Sequence, residues 1–304
     1  MSPPLSLLNF PQLVTLEAIV PPVTPNEFVT LANGTNIAAT SPDGITWTQQ
    51  VLPSVQNWFA IAKNNLKFCA IASGTNVAAT SPDGVTWTQQ VLPGFEVWED
   101  IVWNGSVFCI IGRGSDIAAT SPDGVTWTEQ SLPDFQEWSG ITWNGTVFCA
   151  IASDSDVAAT SPDGVTWTVQ TLPSVQDWEA IAWNGIVFSA ISTNFSDVAA
   201  TSPDGVTWTE QTLPSVQHWN SIAWNGTVFC AIATDSDVAA TSPDGVTWSM
   251  QVLPNVRFWG DIAWNNSKFC VSSFNNSNIV AISDDGITWI EQILPSSEEW
   301  LAIT

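Results

Sequence analysis

The chain has 304 residues, 45% of them hydrophobic, and its 29 acidic residues against 5 basic ones give a formal net charge of -24. A surface of this sign repels phosphate backbones and anionic lipid, so we expect no nucleic acid partner. No run of 18 apolar residues is long enough to predict membrane insertion, and the start MSPPLSLLNFPQ lacks the basic region of an ordinary signal peptide.

The N-terminal segment, residues 1–24, is rich in proline and is predicted to be an arm or attachment segment ahead of a folded domain at residues 25–304. Within it, LEAIV (residues 16–20) has the pattern of a first strand for the first repeat. The C-terminal segment, residues 299–304, competes for the same place. We favour the C-terminal segment, because its WLAIT matches the W-x-A-I pattern of the other repeats and would pair the two ends of the chain.

Internal repetition dominates the rest of the chain. A box reading SPDGVTWT, or a close copy of it, starts seven times at intervals of 40 or 41 residues: Ser41, Ser81, Ser121, Ser161, Ser202, Ser242 and Ser283. A period of this length indicates an array of small structural units, and a closed ring of such units makes one domain.

One repeat, residues 178–218, predicts four short antiparallel strands. WEAIAW alternates and ends at Asn184-Gly185, a pair that favours a two-residue type I′ hairpin before the second strand, IVFSAIS. VAATS is the third strand, and VTWTEQTL is the fourth, ended by Pro214. Four strands in about 40 residues are typical of a β-propeller blade, whereas β-solenoid coils are usually shorter. The sequence therefore predicts an all-β, seven-bladed propeller of four-stranded antiparallel blades.

The five cysteines all follow a phenylalanine at one repeat position: Cys69, Cys109, Cys149, Cys230 and Cys270. Equivalent positions in successive repeats are too far apart for a disulfide, which needs Cα atoms within ~7 Å. We expect buried structural thiols.

The box resembles the hairpin motif of the Asp-box family of β-propellers, roughly S-x-D-x-G-x-T-W, through residues such as Ser81, Asp83, Gly84, Thr86 and Trp87. It departs from that motif in having glycine directly after aspartate. The resemblance implies a propeller with the box between the third and fourth strands. We interpret the aspartates as structural, because a short carboxylate can accept hydrogen bonds from turn amides: Asp43, Asp83, Asp123, Asp163, Asp204, Asp244 and Asp285.

Sialidases that carry this box use three arginines and a tyrosine, whereas this chain has no tyrosine and only Arg113 and Arg257. A glycosidase of another kind needs two facing carboxylates. We interpret the acids available for that role as solvated loop and channel acids, since they occupy repeat-equivalent places: Glu96, Glu99, Asp100, Glu137, Asp177 and Glu179. The single histidine, His218, lies at a variable loop position. The sequence thus favours a protein that is not an enzyme, with no cofactor and no metal.

The connections that vary between repeats lie opposite the boxes, and loops on a rigid scaffold are where recognition usually occurs. The tryptophan that opens each first strand adjoins these loops, so it is a candidate for stacking on a sugar, with core packing as the alternative. The candidate ligand-binding residues are Trp58, Trp98, Trp138, Trp178, Trp219, Trp259, Trp300, Asn57, Glu137, Asp177, His218, Arg113 and Arg257.

These patterns favour a non-enzymatic, multivalent, lectin-like propeller that binds a surface glycan or receptor, outside a cell or on a virion surface as a fibre or spike component. Its predicted partners include other virion or coat proteins through the N-terminal arm, and a second copy of the chain in a homo-oligomer. The alternatives are a protein interaction scaffold or assembly component and, less favoured, a glycosidase.

Overall fold

The computed structural model describes residues 27–304, and the predicted N-terminal arm and the LEAIV segment lie outside these residues. Every regular element of the described chain is a β-strand, and no helix in it is long and apolar enough to cross a membrane. The strands are Phe28–Asn33 (β1), Thr35–Ser41 (β2), Thr48–Gln56 (β3), Trp58–Lys63 (β4), Phe68–Ala72 (β5), Thr75–Ser81 (β6), Thr88–Trp103 (β7), Phe108–Ser121 (β8), Thr128–Trp143 (β9), Phe148–Ser153 (β10), Ser155–Ser161 (β11), Thr168–Gln176 (β12), Trp178–Trp183 (β13), Phe188–Ser192 (β14), Ser196–Ser202 (β15), Thr209–Trp224 (β16), Phe229–Thr234 (β17), Ser236–Ser242 (β18), Ser249–Arg257 (β19), Trp259–Trp264 (β20), Phe269–Ser273 (β21), Ser277–Ser283 (β22) and Ile290–Ile303 (β23).

Each repeat folds as an antiparallel meander. In the repeat at residues 178–218, β13 pairs with β14, β14 with β15, and β15 with the first half of β16. The second half of β16 then pairs with β17 and so begins the next repeat. Because β7, β9, β16 and β23 cross between repeats in this way, hydrogen bonding joins the strands of the described residues into three antiparallel sheets of 7, 9 and 7 strands. The prediction of an all-β fold resembling a propeller is confirmed.

Two turn predictions need correction. The Asn184-Gly185 pair is not a type I′ turn, because Gly185 alone of the two has a positive φ. Instead the Asn184 side chain accepts the N–H groups of Ile186 and Val187 at 2.8 and 2.7 Å. The fourth strand of this repeat also starts later than predicted, at Thr209, because residues 206 and 207 donate their amides to a carboxylate in the box. Pro214 does not end this strand, since β16 continues to Trp224 with a shift in its pairing to β15 between Thr212 and Gln217.

The C-terminal segment is hydrogen-bonded to the first described strand. Trp300, Ala302 and Ile303 of β23 pair with β1, and Val29 and Thr304 exchange backbone hydrogen bonds of 3.2 and 3.1 Å. Since the other edge of β1 pairs with β2, both edges of that strand are occupied. The C-terminal segment therefore lies beside the first described strand, and its role as the closing strand of a first blade stays a prediction.

The box stabilises its own turn by hydrogen bonds and packs against the preceding repeat. In the box at Ser161, the Asp163 Oδ1 atom accepts the amides of Val165 and Thr166 at 2.9 and 2.8 Å, and Ser161 Oγ donates to the same oxygen. The backbone donors hold the pKa of Asp163 below its usual value. Hydrogen bonds to the amides two and three residues ahead recur at all seven box aspartates.

The core lies between neighbouring repeats. Gly164 has a φ of +76°, and a Cβ there would come within 2.9 Å of Thr120 and 3.3 Å of the Cys109 sulfur, both in the preceding repeat. The cysteines are all buried and free, as expected. Burial raises the pKa of the Cys69 thiol to about 12, so this group stays protonated at neutral pH.

Candidate active site in the central cavity

A cavity of about 360 Å³ is lined by the first strands of the repeats. These strand segments touch one another in the order β4, β7, β9, β13, β16, β20 and β23, and β23 touches β4 again, so together they enclose the cavity. The residue that directly follows the opening tryptophan reaches the wall in every repeat: Phe59, Glu99, Ser139, Glu179, Asn220, Gly260 and Leu301.

A β-bulge brings this residue to the cavity. In β13 the pairing with β14 skips from Trp178 to Ala180, which leaves Glu179 as the extra residue. The register shifts at the same place in the other first strands. Such bulges re-aim a side chain, and they are over-represented beside active sites. The residue at the bulged position differs between repeats, whereas the tryptophan before it is the same in all seven.

The opening tryptophan directly precedes each bulged residue, and its side chain is buried in the core. Trp178 is 0% exposed, and its indole Nε1 donates to the backbone carbonyl of Ser174 at 3.2 Å. The seven equivalent indoles are all fully buried. The prediction that these rings reach a ligand is therefore corrected: each occupies the core between sheets, where burial of its large apolar surface is most favourable.

An ion pair stands at one side of the cavity. The Arg113 Nη1 atom donates to Glu99 Oε1 at 2.9 Å, and Arg113 Nε donates to Glu137 Oε2 at 3.1 Å. Glu99 is 7% exposed. Burial raises the pKa of this carboxyl, and the positive charge of Arg113 opposes that rise. Arg113 thus neutralises a carboxylate that would otherwise be costly to bury.

Glu179 differs from Glu99 in having no such partner. Burial raises its pKa to about 7, repulsion by Glu99 adds to the rise, and Arg113 only partly offsets it. Among residues 27–304, no N–H or O–H group donates a hydrogen bond to the Glu179 carboxyl. Near neutral pH this group therefore exists in both protonation states, which is the condition for exchanging a proton with a bound molecule.

Two other wall carboxylates are fully occupied by the scaffold. Asp100 accepts the amide of Ile101 at 2.7 Å and that of Ile141 at 2.8 Å, one on each oxygen. Asp261 accepts the amide of Ile303 at 3.1 Å and the hydroxyl of Ser221 at 2.7 Å. Burial raises the pKa of both groups, in the case of Asp100 to about 7. Because they bridge neighbouring first strands, we interpret them as structural.

The remaining predicted site residues lie on the rim or away from the cavity. Glu137 joins the site through Arg113, whereas Arg257 pairs with Glu291 at 3.0 Å. The His218 ring packs against Phe195 with centroids 3.9 Å apart. Asn57 and Asp177 accept loop amides through their backbone carbonyls. No three or more His, Cys, Asp or Glu side chains in residues 27–304 are grouped to hold a metal ion.

Sequence comparison gives no relative, since no protein-family model and no curated protein matches this chain. Comparison of folds gives many solved structures with a similar fold. A streptogramin B lyase superposes with a TM-score of 0.72 at 12% identity, covering 91% of each chain. A catalytically inactive virginiamycin B lyase from Staphylococcus aureus with quinupristin has a TM-score of 0.70 at 11% identity, covering 88% of this chain and 89% of that one. A candidate 6-phosphogluconolactonase from Bacteroides uniformis has a TM-score of 0.68 at 12% identity, covering 91% and 98%.

These neighbours correct the functional hypothesis drawn from the sequence. At such low identity they establish the fold alone, but their names are those of lyases and lactonases and not of lectins. The expectation of a non-enzymatic, lectin-like recognition propeller is therefore corrected. Repetition of the scaffold does not imply repetition of the site, because the cavity wall differs from repeat to repeat. The predicted partners and the extracellular setting stay predictions.

Proposed function

We propose that this protein is an enzyme that performs general acid–base chemistry on a small molecule held in the central cavity, with Glu179 transferring the proton. The observation that carries the proposal is the Glu179 carboxyl on the cavity wall, without a hydrogen-bond donor among the described residues and with a pKa of about 7. General bases and acids work best when their pKa lies near the working pH. A perturbed carboxyl in a concave site is the usual mark of such a group.

The cavity supports a small substrate. Its volume of about 360 Å³ lies at the lower end of the range for ligand sites. Glu99 and Arg113 form a fixed ion pair beside Glu179. Repulsion by Glu99 adds to the effect of burial, which keeps the pKa of Glu179 high. Asp100 is less suited to catalysis, because both of its oxygens already accept amides.

The names of the fold neighbours suggest two reactions to test, and both need a proton-transfer group. In lactone hydrolysis, Glu179 would take a proton from a water molecule as the water oxygen attacks the carbonyl carbon. It would then return the proton to the alkoxide oxygen as the acyl–oxygen bond breaks. In a lyase reaction, Glu179 would remove a proton from carbon as the bond to the leaving group breaks. A phosphorylated lactone is the poorer candidate, since its charge would be repelled by the carboxylates on the wall.

The first experiment combines catalysis with titration. Hydrolysis of homoserine lactone, a small lactone that carries an amine, and β-elimination of acetate from the methyl ester of O-acetylserine, a small amine, are measured for the wild type, for Glu179→Gln and for Glu129→Gln, an exposed carboxylate that serves as the control of equal charge change. We expect turnover of one of these substrates that is lost in Glu179→Gln and kept in Glu129→Gln. In parallel, carbon NMR of the carboxyls should show Glu179 titrating near pH 7. Titration near the usual value of about 4.3 would overturn the proposal.

We further infer that the fold is a seven-bladed propeller of the Asp-box type. The support is the sevenfold box, the four-stranded meander of one repeat and the closed order of contacts among the first strands. An experimental structure with a different number of blades would refute this inference.

A further inference from the structure

The cavity wall is divided into an apolar and a polar side. Leu301 and Phe59 are neighbours, because β23 touches β4, and Phe274 adds a second ring to the same region. The Phe274 ring lies beside Gly260, the bulged residue of β20, whose Cβ would be in van der Waals contact with that ring at 3.4 Å. Continuing round the strands, the wall then presents Glu99, Ser139, Glu179 and Asn220 in succession.

Most hydrogen-bond donors on the polar side of the wall are used by the protein. Ser139 Oγ donates to the carbonyl of Trp178 at 2.6 Å, and one N–H of the Asn220 side-chain amide donates to the carbonyl of Gly260, which leaves its second N–H. Arg113, which donates to Glu99 and Glu137, is not one of the wall residues. Acceptor oxygens therefore outnumber the remaining donors on this side of the wall.

These acceptors are oxygens of three side chains. Both Glu179 oxygens, Glu99 Oε2 and Asn220 Oδ1 receive no hydrogen bond from any residue between 27 and 304. An ammonium group has three donors and no acceptor, so it matches this inventory, whereas a carboxylate or phosphate has only acceptors to offer. A ligand charge of the opposite sign would also offset the burial of Glu179.

We infer that the substrate of this cavity is a small amphiphilic amine, in which a protonated amine is joined to an aromatic or branched apolar group. The ammonium would lie between Glu179 and Glu99, and the apolar group would pack on Phe59, Leu301 and Phe274. This inference rests on the proposed function, because it names the class of molecule on which Glu179 would act.

A series of three probes that differ only in the polar end tests the inference. Binding of 2-phenylethylammonium, 2-phenylethanol and 3-phenylpropionate is measured by calorimetry at pH 8, where Glu179 is mostly ionised. We expect the ammonium to bind at least tenfold more tightly than the alcohol, and the carboxylate to bind least. Equal binding of all three, preference for the carboxylate, or binding of none of them would overturn the inference.

Variants test the contributions of the polar and the apolar side of the wall to binding separately. Glu179→Gln should weaken the ammonium at least tenfold and leave the alcohol unchanged, whereas Phe59→Ala should weaken both probes. Glu129→Gln should alter neither. The result is also distinguishable from failure of the proposed function: ammonium binding that depends on Glu179 in a protein whose Glu179 titrates near its usual pH would refute the catalytic role and keep the ligand class. Turnover that depends on Glu179, without preference for the ammonium, would keep the catalytic role and refute the ligand class.

Discussion

The Asp100 carboxylate accepts the backbone N–H of Ile141 at 2.8 Å, and so joins two neighbouring first strands that are 40 residues apart in the sequence. Its other oxygen accepts the N–H of Ile101 at 2.7 Å. Asparagine has one acceptor oxygen in place of two, so one of these buried amides would lose its partner. We expect Asp100→Asn to lower the free energy of unfolding by about 1–3 kcal/mol.

Urea unfolding measures this change, and Asp116→Asn is the matched control, because Asp116 is exposed. A control that costs as much as Asp100→Asn would show that loss of charge, and not loss of an acceptor, is responsible.

The stability of the protein should fall as the pH rises through neutrality. The pKa of Glu179 is about 7 in the folded chain and near the usual glutamate value in the unfolded chain, so the folded state holds the extra proton between these values. Stability from this group is fully present below the unfolded pKa and is lost as the pH rises through about 7. Asp100 contributes with the same sign. Between pH 5 and 8, Glu179→Gln should therefore lose less stability than the wild type in urea titrations, and parallel curves would contradict this expectation.

Removal of Arg113 should leave Glu99 buried without its cation. We expect Arg113→Met to destabilise the protein by about 1–3 kcal/mol at pH 8. The loss should be smaller at pH 5, because the Glu99 carboxyl, whose pKa burial already raises, can then be protonated. The double variant Arg113→Met, Glu99→Gln should recover most of the loss.

The chain's second arginine provides the control for this experiment. Arg257 pairs with Glu291 on the rim, at 3.0 Å, and both side chains are about 30% exposed. Arg257→Met should cost less than about 1 kcal/mol. A cost for Arg257→Met equal to that for Arg113→Met would argue against a special role of burial at Glu99.

The box glycine should tolerate no side chain. Gly164→Ala would place a methyl group 2.9 Å from Thr120 at a φ of +76°, so the variant carries both backbone strain and a clash. Gly185→Ala carries strain alone, since its φ is +94° and no atom lies within 4 Å. We expect Gly164→Ala to be less stable than Gly185→Ala by about 1–3 kcal/mol in thermal or urea unfolding. Equal stabilities would mean that the box does not pack against the preceding repeat.

Part of the candidate site was visible in the sequence. The residue after each opening tryptophan reads Phe, Glu, Ser, Glu, Asn, Gly and Leu, whereas the tryptophan before it and the isoleucine two positions after it are the same in all seven repeats. This variation inside a strand marked a position freed from the scaffold. The sequence does not single out Glu99, Asp100 or Glu179 among the other channel acids, because all of them occupy repeat-equivalent places.

The sequence by itself determined the order of the strands, the places of the turns and the repeat, because alternation of side chains, turn residues and a 40-residue period are local properties of the chain; the type of the Asn184-Gly185 turn and the bounds of the fourth strand were not among them. Tertiary structure alone decided which side chains meet. Glu99 and Glu179 lie 80 residues apart, and the ring of first strands brings both to one cavity. A one-residue bulge turns Glu179 toward that cavity while Trp178 beside it is fully buried. The resulting loss of water around the carboxyl raises its pKa, and desolvation of this kind depends on the packed fold and not on the neighbours in sequence.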